Sequence, residues 1–145
     1  MIAMEINGIP LHPLVVHAAV VFTPLAALAA LAYALRAKWQ AYLRWPMAAL
    51  GATAAASVQL AAMTGDQLKE KLGERGHLIE VHEMWAGRLQ AGMWVLGALM
   101  VLTAFLAYKG KGHVVLNALL VIGALVVSFL VFKTGDAGAA SVWKG

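Results

Sequence analysis

The run Leu14–Leu35, LVVHAAVVFTPLAALAALAYAL, contains no Asp, Glu, Lys or Arg in 22 residues. At about 1.5 Å per residue, a helix of this length crosses roughly 30 Å of hydrocarbon. Three further runs share the property: Trp45–Met63, Leu89–Tyr108 and Val114–Phe132. Because backbone polar groups in lipid must be satisfied within the segment, runs of this length without strand alternation predict helices. The sequence therefore predicts four membrane-spanning helices.

The composition of the whole chain agrees with a membrane protein. Its 145 residues are 62% hydrophobic and 12% charged, with a mean hydropathy of +0.78. We predict one all-α transmembrane domain over residues 1–145, an integral membrane up-down four-helix bundle. Its spans are placed at about residues 13–35, 45–64, 78–108 and 113–134, with a short interfacial helix at about 66–73.

Charge placement predicts the orientation of the bundle. Short, purely basic turns join the first two spans and the last two, through Arg36, Lys38, Arg44, Lys109 and Lys111. The other end of the bundle carries all seven acids of the chain. Basic short loops remain in the cytoplasm, so we expect both termini on the outer side of the membrane. The sequence pI near 9.6 then reflects topology and does not indicate nucleic-acid binding.

Four of the five histidines occur in two copies of one spacing. The copies are His12 to His17, HPLVVH, and His77 to His82, HLIEVH. Each copy enters a span, and the following span ends in Thr-Gly-Asp, at Asp66 in the first half and Asp136 in the second. Two equivalent helical hairpins of like direction predict a parallel repeat about an axis along the membrane normal.

The repeat predicts a pair of facing imidazoles. Spans one and three are diagonal neighbours in an up-down bundle, so His17 and His82 are expected to point inward at similar depth. His12 and His77 lie five positions earlier, about 140° around the helix, and are expected near the surface. Arg88 is a cation inside span three and is expected to reach toward Asp66, Asp136 or a ligand carboxylate.

Three segments carry a resemblance to a known family. They are GIPLHPLVVHAAVVFTPLAAL (residues 8–28), TGDQLKEKLGERGHLIEVHEMWAGR (64–88) and KTGDAGAASVWKG (133–145). Together they resemble the bacterial four-helix membrane family catalogued as domain of unknown function 2231.

The resemblance implies a role in electron transfer, because some members are joined to or near Rieske-type or cytochrome modules. The residues of this chain that match the family's motifs are His12, His17, Asp66, His82 with Glu83, and the closing glycines Gly135 and Gly138. Where many members have histidine after the last Thr-Gly, this chain has Asp136, so the resemblance supports an acidic hydrogen-bonding role there.

Chemistry favours b-type haem as the cofactor. A bis-imidazole haem needs two inward histidines at one depth, an apolar slot and a donor for its propionates. His17 and His82 are the predicted axial ligands, with Trp85 or Phe22 packing on the macrocycle and Arg88 at a propionate. Small residues that leave room for it are Ala18, Ala19, Ala86 and Gly87. The predicted role is a membrane redox subunit relaying electrons between quinol and an outer-face partner protein.

Two alternatives remain open at this point. The first is a non-haem divalent transition metal, for which the candidate ligands are His12, His17, His77, His82, Asp66, Glu83 and Asp136. The second is a structural or assembly subunit of a membrane complex or homo-oligomer. The chain has no cysteine, which excludes thiolate ligation, and it shows no hydrolytic motif. If the protein is an enzyme component, redox chemistry is the class for which it has parts.

Overall fold

Four long helices make up nearly all of the structure. The computed structural model describes residues 5–72, 77–108 and 113–143 of the chain. A two-stranded hairpin, β1 (Glu5–Ile6) and β2 (Ile9–Pro10), precedes the helices α1 (Leu11–Leu35), α2 (Gln40–Leu72), α3 (His77–Tyr108) and α4 (His113–Trp143), and a single 3-10 turn (Ala37–Trp39) joins α1 to α2. All four helices are long and apolar enough to cross a membrane. The predicted all-α class and the number of spans are confirmed.

The helices pack as a bundle in which neighbours run in opposite directions. α1 and α3 each pack against both α2 and α4, and they scarcely touch one another. The beginning of α1 meets the end of α2 through His12 and Thr64. At the opposite end, Trp45 of α2 and Phe105 of α3 stack edge to face with ring centroids 5.2 Å apart. α1 and α3 are therefore diagonal in the bundle.

Three helices extend further than the predicted spans. Residues 66–72, expected as a separate interfacial helix, continue α2 without a break, and α4 runs on to Trp143. α1 begins at Leu11, two residues before Pro13. Hydropathy reports only the part of a helix that must lie in lipid, whereas a packed helix continues while its neighbours support it. Residues 73 and 109–112, including Lys109 and Lys111, lie outside the described residues.

A β-hairpin that we did not predict leads into α1. Ile6 pairs with Ile9, and the two residues between them, Asn7 and Gly8, have φ of 53° and +79°. A two-residue turn with both φ values positive matches the right-handed twist of the strands, and Asn-Gly is its preferred sequence. The dipeptide was thus a readable signal. The hairpin fixes how the chain enters α1 just before His12.

The core of α1 and the core of α3 have the same pattern of burial. Residues 21–30 and 91–100 fall, position by position, into the same sequence of buried, half-buried and exposed classes. The buried pairs include Thr23 with Met93, Ala27 with Gly97 and Ala30 with Met100. Each pair is separated by 70 positions. The internal repeat therefore has a period of 70 in the structure, and not the 65 that separates the two histidine motifs.

A buried hydroxyl without a partner gives a stability prediction. Thr23 is 1% exposed, and its Oγ1 has no hydrogen-bond partner among the described residues, whereas Thr103 is 2% exposed and donates to the Leu99 carbonyl at 2.7 Å. Replacing an unsatisfied buried hydroxyl with a methyl group of the same shape removes a desolvation cost. Thr23→Val is expected to raise stability by about 1 kcal/mol. Thr103→Val, the matched control, loses a satisfied hydrogen bond and is expected to gain nothing.

The measurement is the thermal unfolding of both variants in one detergent, followed by circular dichroism. An equal shift in Tm for Thr23→Val and Thr103→Val would contradict the assignment of Thr23 as the unsatisfied group.

Candidate histidine site

His12 is tied to the end of α2 by a hydrogen bond between side chains. Its Nδ1 lies 3.0 Å from Oγ1 of Thr64, which is 3% exposed. The Thr64 hydroxyl itself donates to the Leu60 carbonyl at 2.8 Å, the usual back-bond of a helical threonine. With the hydroxyl hydrogen directed to the Leu60 carbonyl, the Thr64 oxygen accepts from the imidazole, an arrangement that corresponds to His12 protonated on Nδ1.

His82 makes the corresponding contact with the end of α4. Its Nδ1 lies 3.1 Å from the backbone carbonyl oxygen of Thr134. A carbonyl only accepts, so His82 also carries its proton on Nδ1. Each of the two hydrogen bonds joins residues 52 positions apart. His12 and His82 are thus equivalent under the 70-residue repeat, as are Thr64 and Thr134.

This hydrogen-bonding pattern leaves the same atom of both rings for a ligand. With Nδ1 protonated, the neutral imidazole has its lone pair on Nε2. Histidines that bind metals are commonly oriented by such a bond from the second ring nitrogen, which fixes both the tautomer and the ring plane. We refer to His12, Thr64, His82 and Thr134 as the histidine site.

Glycines on α2 and α4 let the two rings approach those helices. A Cβ at Gly65 would lie 3.1 Å from His12 Cε1, and a Cβ at Gly138 would lie 3.1 Å from His82 Cε1. Gly138 is one turn after Thr134, so the missing Cβ opens the Thr134 carbonyl to His82. In each half a threonine and a glycine near the end of one helix therefore seat a histidine from the preceding helix, Thr64 with Gly65 and Thr134 with Gly138.

His12 and His82 lie at the same end of the bundle. Each stands near the beginning of one of the diagonal helices α1 and α3, against the end of the helix that follows. Both rings are half-buried. The structure thus places two imidazoles at corresponding positions of the repeat, each hydrogen-bonded through Nδ1 to a threonine, one at its hydroxyl and one at its backbone carbonyl.

His17 has a different position from the one expected. Its ring is exposed, and its Nδ1 lies 2.5 Å from the Pro13 carbonyl oxygen of its own helix. Because α1 begins at Leu11, His12 is already helical and takes the inward direction, and His17 lies about 140° around the helix from it. The expectation that His17 faces His82 across the core is therefore wrong in its geometry.

The remaining candidate ligands lie around the site rather than in it. His77, Asp66 and Asp136 are exposed, and Glu83 is half-buried. In residues 5–72, 77–108 and 113–143, no three His, Asp or Glu side chains group closely enough to hold one metal ion.

Arg88 and Trp85 form a cluster on the surface of α3 and α4. The Arg88 guanidinium carbon lies 4.8 Å from the centroid of the Trp85 ring, and that ring meets Phe129 of α4 edge to face at 6.1 Å. The described contact of Arg88 is with this ring, whereas we expected one with Asp66 or Asp136. A role for Arg88 at a haem propionate stays a prediction.

A polar contact lies deeper, between α2 and α3. Gln90 Nε2 donates to Gln59 Oε1 at 2.6 Å, and Trp94 Nε1 donates to the same oxygen at 2.9 Å. The hydrogen bond from Trp94 was not predicted, because the sequence alone does not indicate a partner for its indole N–H. The contact ties α2 to α3 below the histidine site.

The comparison with family models agrees with these motifs. A model described as predicted membrane protein (DUF2231) matches residues 8–145. The chain belongs to the DUF2231 family. Comparisons with curated proteins and with solved structures gave no significant match. The three segments that carried the resemblance include both histidine–threonine contacts of this DUF2231 protein.

Proposed function

We propose that the protein is a membrane redox subunit that binds haem b through His12 and His82 and relays electrons between a membrane quinol and a partner protein at the outer face. One observation carries the proposal: two imidazoles stand at the same end of diagonal helices, each with Nδ1 hydrogen-bonded to a threonine, so that Nε2 is the ring nitrogen outside that bond. When bound, haem with two imidazole ligands supplies a centre that accepts and releases one electron.

The 70-residue repeat supports this ligand pair. An axis along the membrane normal that relates α1 to α3 would place His12 and His82 at the same depth, as two axial ligands require. The same burial pattern in residues 21–30 and 91–100 is what such an axis would produce. Under this proposal the bundle consists of two equivalent hairpins, with both termini outside a bacterial inner membrane and the basic turn at Arg36 and Lys38 in the cytoplasm.

The donor set favours haem over a bare metal ion. A porphyrin supplies four nitrogens, so the protein has to add two axial ligands. A structural or catalytic zinc site takes three or four protein ligands. Among the described residues, no three His, Asp or Glu side chains group closely enough to hold one metal ion. A non-haem metal at His12 and His82, completed by His77, Asp66, Glu83 or Asp136, and a structural role in a larger complex stay as alternatives.

The hydrogen bonds from the two rings to the threonines would set the orientation and the basicity of the proposed haem ligands. Thr64 and the Thr134 carbonyl would hold the two ring planes and raise the basicity of Nε2. Arg88 and Trp85, the two other predicted cofactor contacts, are not required by this arrangement. The site lies about 9 Å along α3 from Arg88, the last charge before the apolar run, which places it near the membrane surface. A partner protein in the aqueous phase would thus reach it.

Absorption spectra of the purified chain test the proposal. With haem supplied during expression, we expect a Soret band in the oxidised protein and a sharpened α-band after reduction. His12→Ala and His82→Ala should each remove one axial ligand and at least most of the bound haem.

His17→Ala is the matched control, since it removes an exposed imidazole one turn further along α1 and should leave the spectrum unchanged. Absence of a Soret band in the parent would overturn haem binding. Loss of the band in His17→Ala but not in His12→Ala would overturn this ligand pair and restore the pair expected from the sequence.

A further inference from the structure

We propose that Arg88, Lys133 and Trp85 form a binding site for the phosphate group of an anionic phospholipid. Arg88 Cζ lies 4.8 Å and Lys133 Nζ 5.6 Å from the centroid of the same Trp85 ring. Two cations on two different helices therefore converge on one aromatic side chain. The proposal does not depend on haem binding.

Arg88, Lys133 and Trp85 lie at the height in the bundle where lipid headgroups are expected. Arg88 directly precedes the charge-free run 89–108 of α3, and Lys133 directly follows the charge-free run 113–132 of α4. Twenty helical residues span about 30 Å, the thickness of the hydrocarbon. The two cations therefore stand side by side at one boundary of the apolar layer. Tryptophan is favoured at the same boundary, because its ring is apolar and its N–H is polar.

The cluster also has the surface that a lipid needs. Arg88 is exposed, and Phe129, whose ring meets Trp85, is 53% exposed. Phe129, Val126 and Ile122 follow one another at helical spacing down α4, and all three are exposed. A phosphate held between Arg88 and Lys133 would place its acyl chains along this apolar stripe.

The charge of the cluster points to an anion. Arg88 and Lys133 carry like charges toward one ring, and a phosphate between them would relieve their repulsion. Asp136, one turn beyond Lys133 on α4, lies on the side away from the apolar run. Basic side chains at a membrane surface favour anionic over neutral lipids.

The internal repeat shows that the fold does not require the cluster. Under the 70-residue period, Trp85, Arg88 and Lys133 correspond to Val15, Ala18 and Met63. The first half of the bundle therefore has three apolar residues at the positions that correspond to the cluster. Both cations are thus an addition to one half of the protein, as a ligand site would be and a packing requirement would not.

Native mass spectrometry of the full chain tests the site. The protein in detergent is mixed with equal amounts of phosphatidylglycerol and phosphatidylcholine, and the two adducts are compared. We expect the parent to retain phosphatidylglycerol preferentially, by roughly thirtyfold for two cations at a membrane surface. Arg88→Gln combined with Lys133→Gln should reduce the preference to near unity, whereas Arg88→Lys with Lys133→Arg should keep it.

Arg36→Gln with Lys38→Gln is the matched control, because it removes two charges from the opposite end of the bundle. Equal losses in the control and in the Arg88/Lys133 variant would show a non-specific charge effect and overturn the site. Displacement of the lipid by millimolar inorganic phosphate would also overturn it, since the ligand would then be a soluble anion.

Discussion

Replacing Gly97 with alanine is expected to destabilise the bundle by about 1–3 kcal/mol, the usual cost of overpacking. A Cβ at Gly97 would lie 2.9 Å from the backbone oxygen of Gly51 and 3.3 Å from the Cβ of Ala55. Neither α2 atom belongs to a flexible side chain, so the clash is relieved only if α2 and α3 move apart. That movement would also strain the hydrogen bond between Gln59 and Gln90.

Gly87→Ala is the matched control on the same helix. A Cβ at Gly87 meets nothing within 4 Å, so the only change is the gain in helix propensity, up to about 1 kcal/mol. The two glycine-to-alanine changes are therefore expected to have opposite signs. Unfolding in mixed detergent, followed by circular dichroism, gives both values. If Gly97→Ala proved as stable as Gly87→Ala, the close crossing of α2 and α3 would be refuted.

The spans could be predicted because the absence of charge is a property of each segment alone. Leu14–Leu35 needs no knowledge of its neighbours to be recognised as a membrane helix. The helix ends could not be predicted in the same way. Residues 66–72 and 133–143 are polar or mixed, and they are helical here in continuation of helices already packed in the bundle.

The sequence contains the register of the repeat in its Thr-Gly-Asp motifs, but our prediction took the register from the histidine motifs. The histidine motifs are 65 residues apart, and the two Thr-Gly-Asp motifs are 70 apart. A spacing of histidines on one helix does not say which member faces the core. The Thr-Gly motif does, because Thr64 and Thr134 are the partners that His12 and His82 contact from the adjacent helix.

The choice between His12 and His17 depended on where α1 begins. Placing Pro13 at the first helical position left His12 outside the helix and gave the inward face to His17. With α1 beginning at Leu11, Pro13 still lies in the first turn, where its missing N–H costs nothing. A shift of two residues in a helix start thus changed which histidine belongs to the site. The Asn-Gly turn that ends at Ile9 was the signal for the earlier start.

Valine at Gly65 or Gly138 is expected to displace a histidine ring and to weaken haem binding without removing either imidazole. A Cβ at Gly138 would already lie 3.1 Å from Cε1 and 3.2 Å from Nδ1 of His82, and a Cβ at Gly65 lies 3.1 Å from Cε1 of His12. The added methyl groups of valine would push the ring off the threonine that orients it. An overpacking cost of about 1–3 kcal/mol corresponds to roughly 5–150-fold weaker binding.

Gly135→Val separates this effect from a general loss of helix stability. Gly135 is three residues before Gly138 on α4, and a Cβ there meets nothing within 4 Å. Haem titration of the purified apo-protein gives the dissociation constants of the three variants, and circular dichroism reports their folding. We expect Gly65→Val and Gly138→Val to bind haem more weakly than Gly135→Val at equal helix content. The hydrogen bonds of the rings to Thr64 and Thr134 require the space that Gly65 and Gly138 leave. Equal affinities would therefore show that the two glycines do not position the rings, even if the parent binds haem.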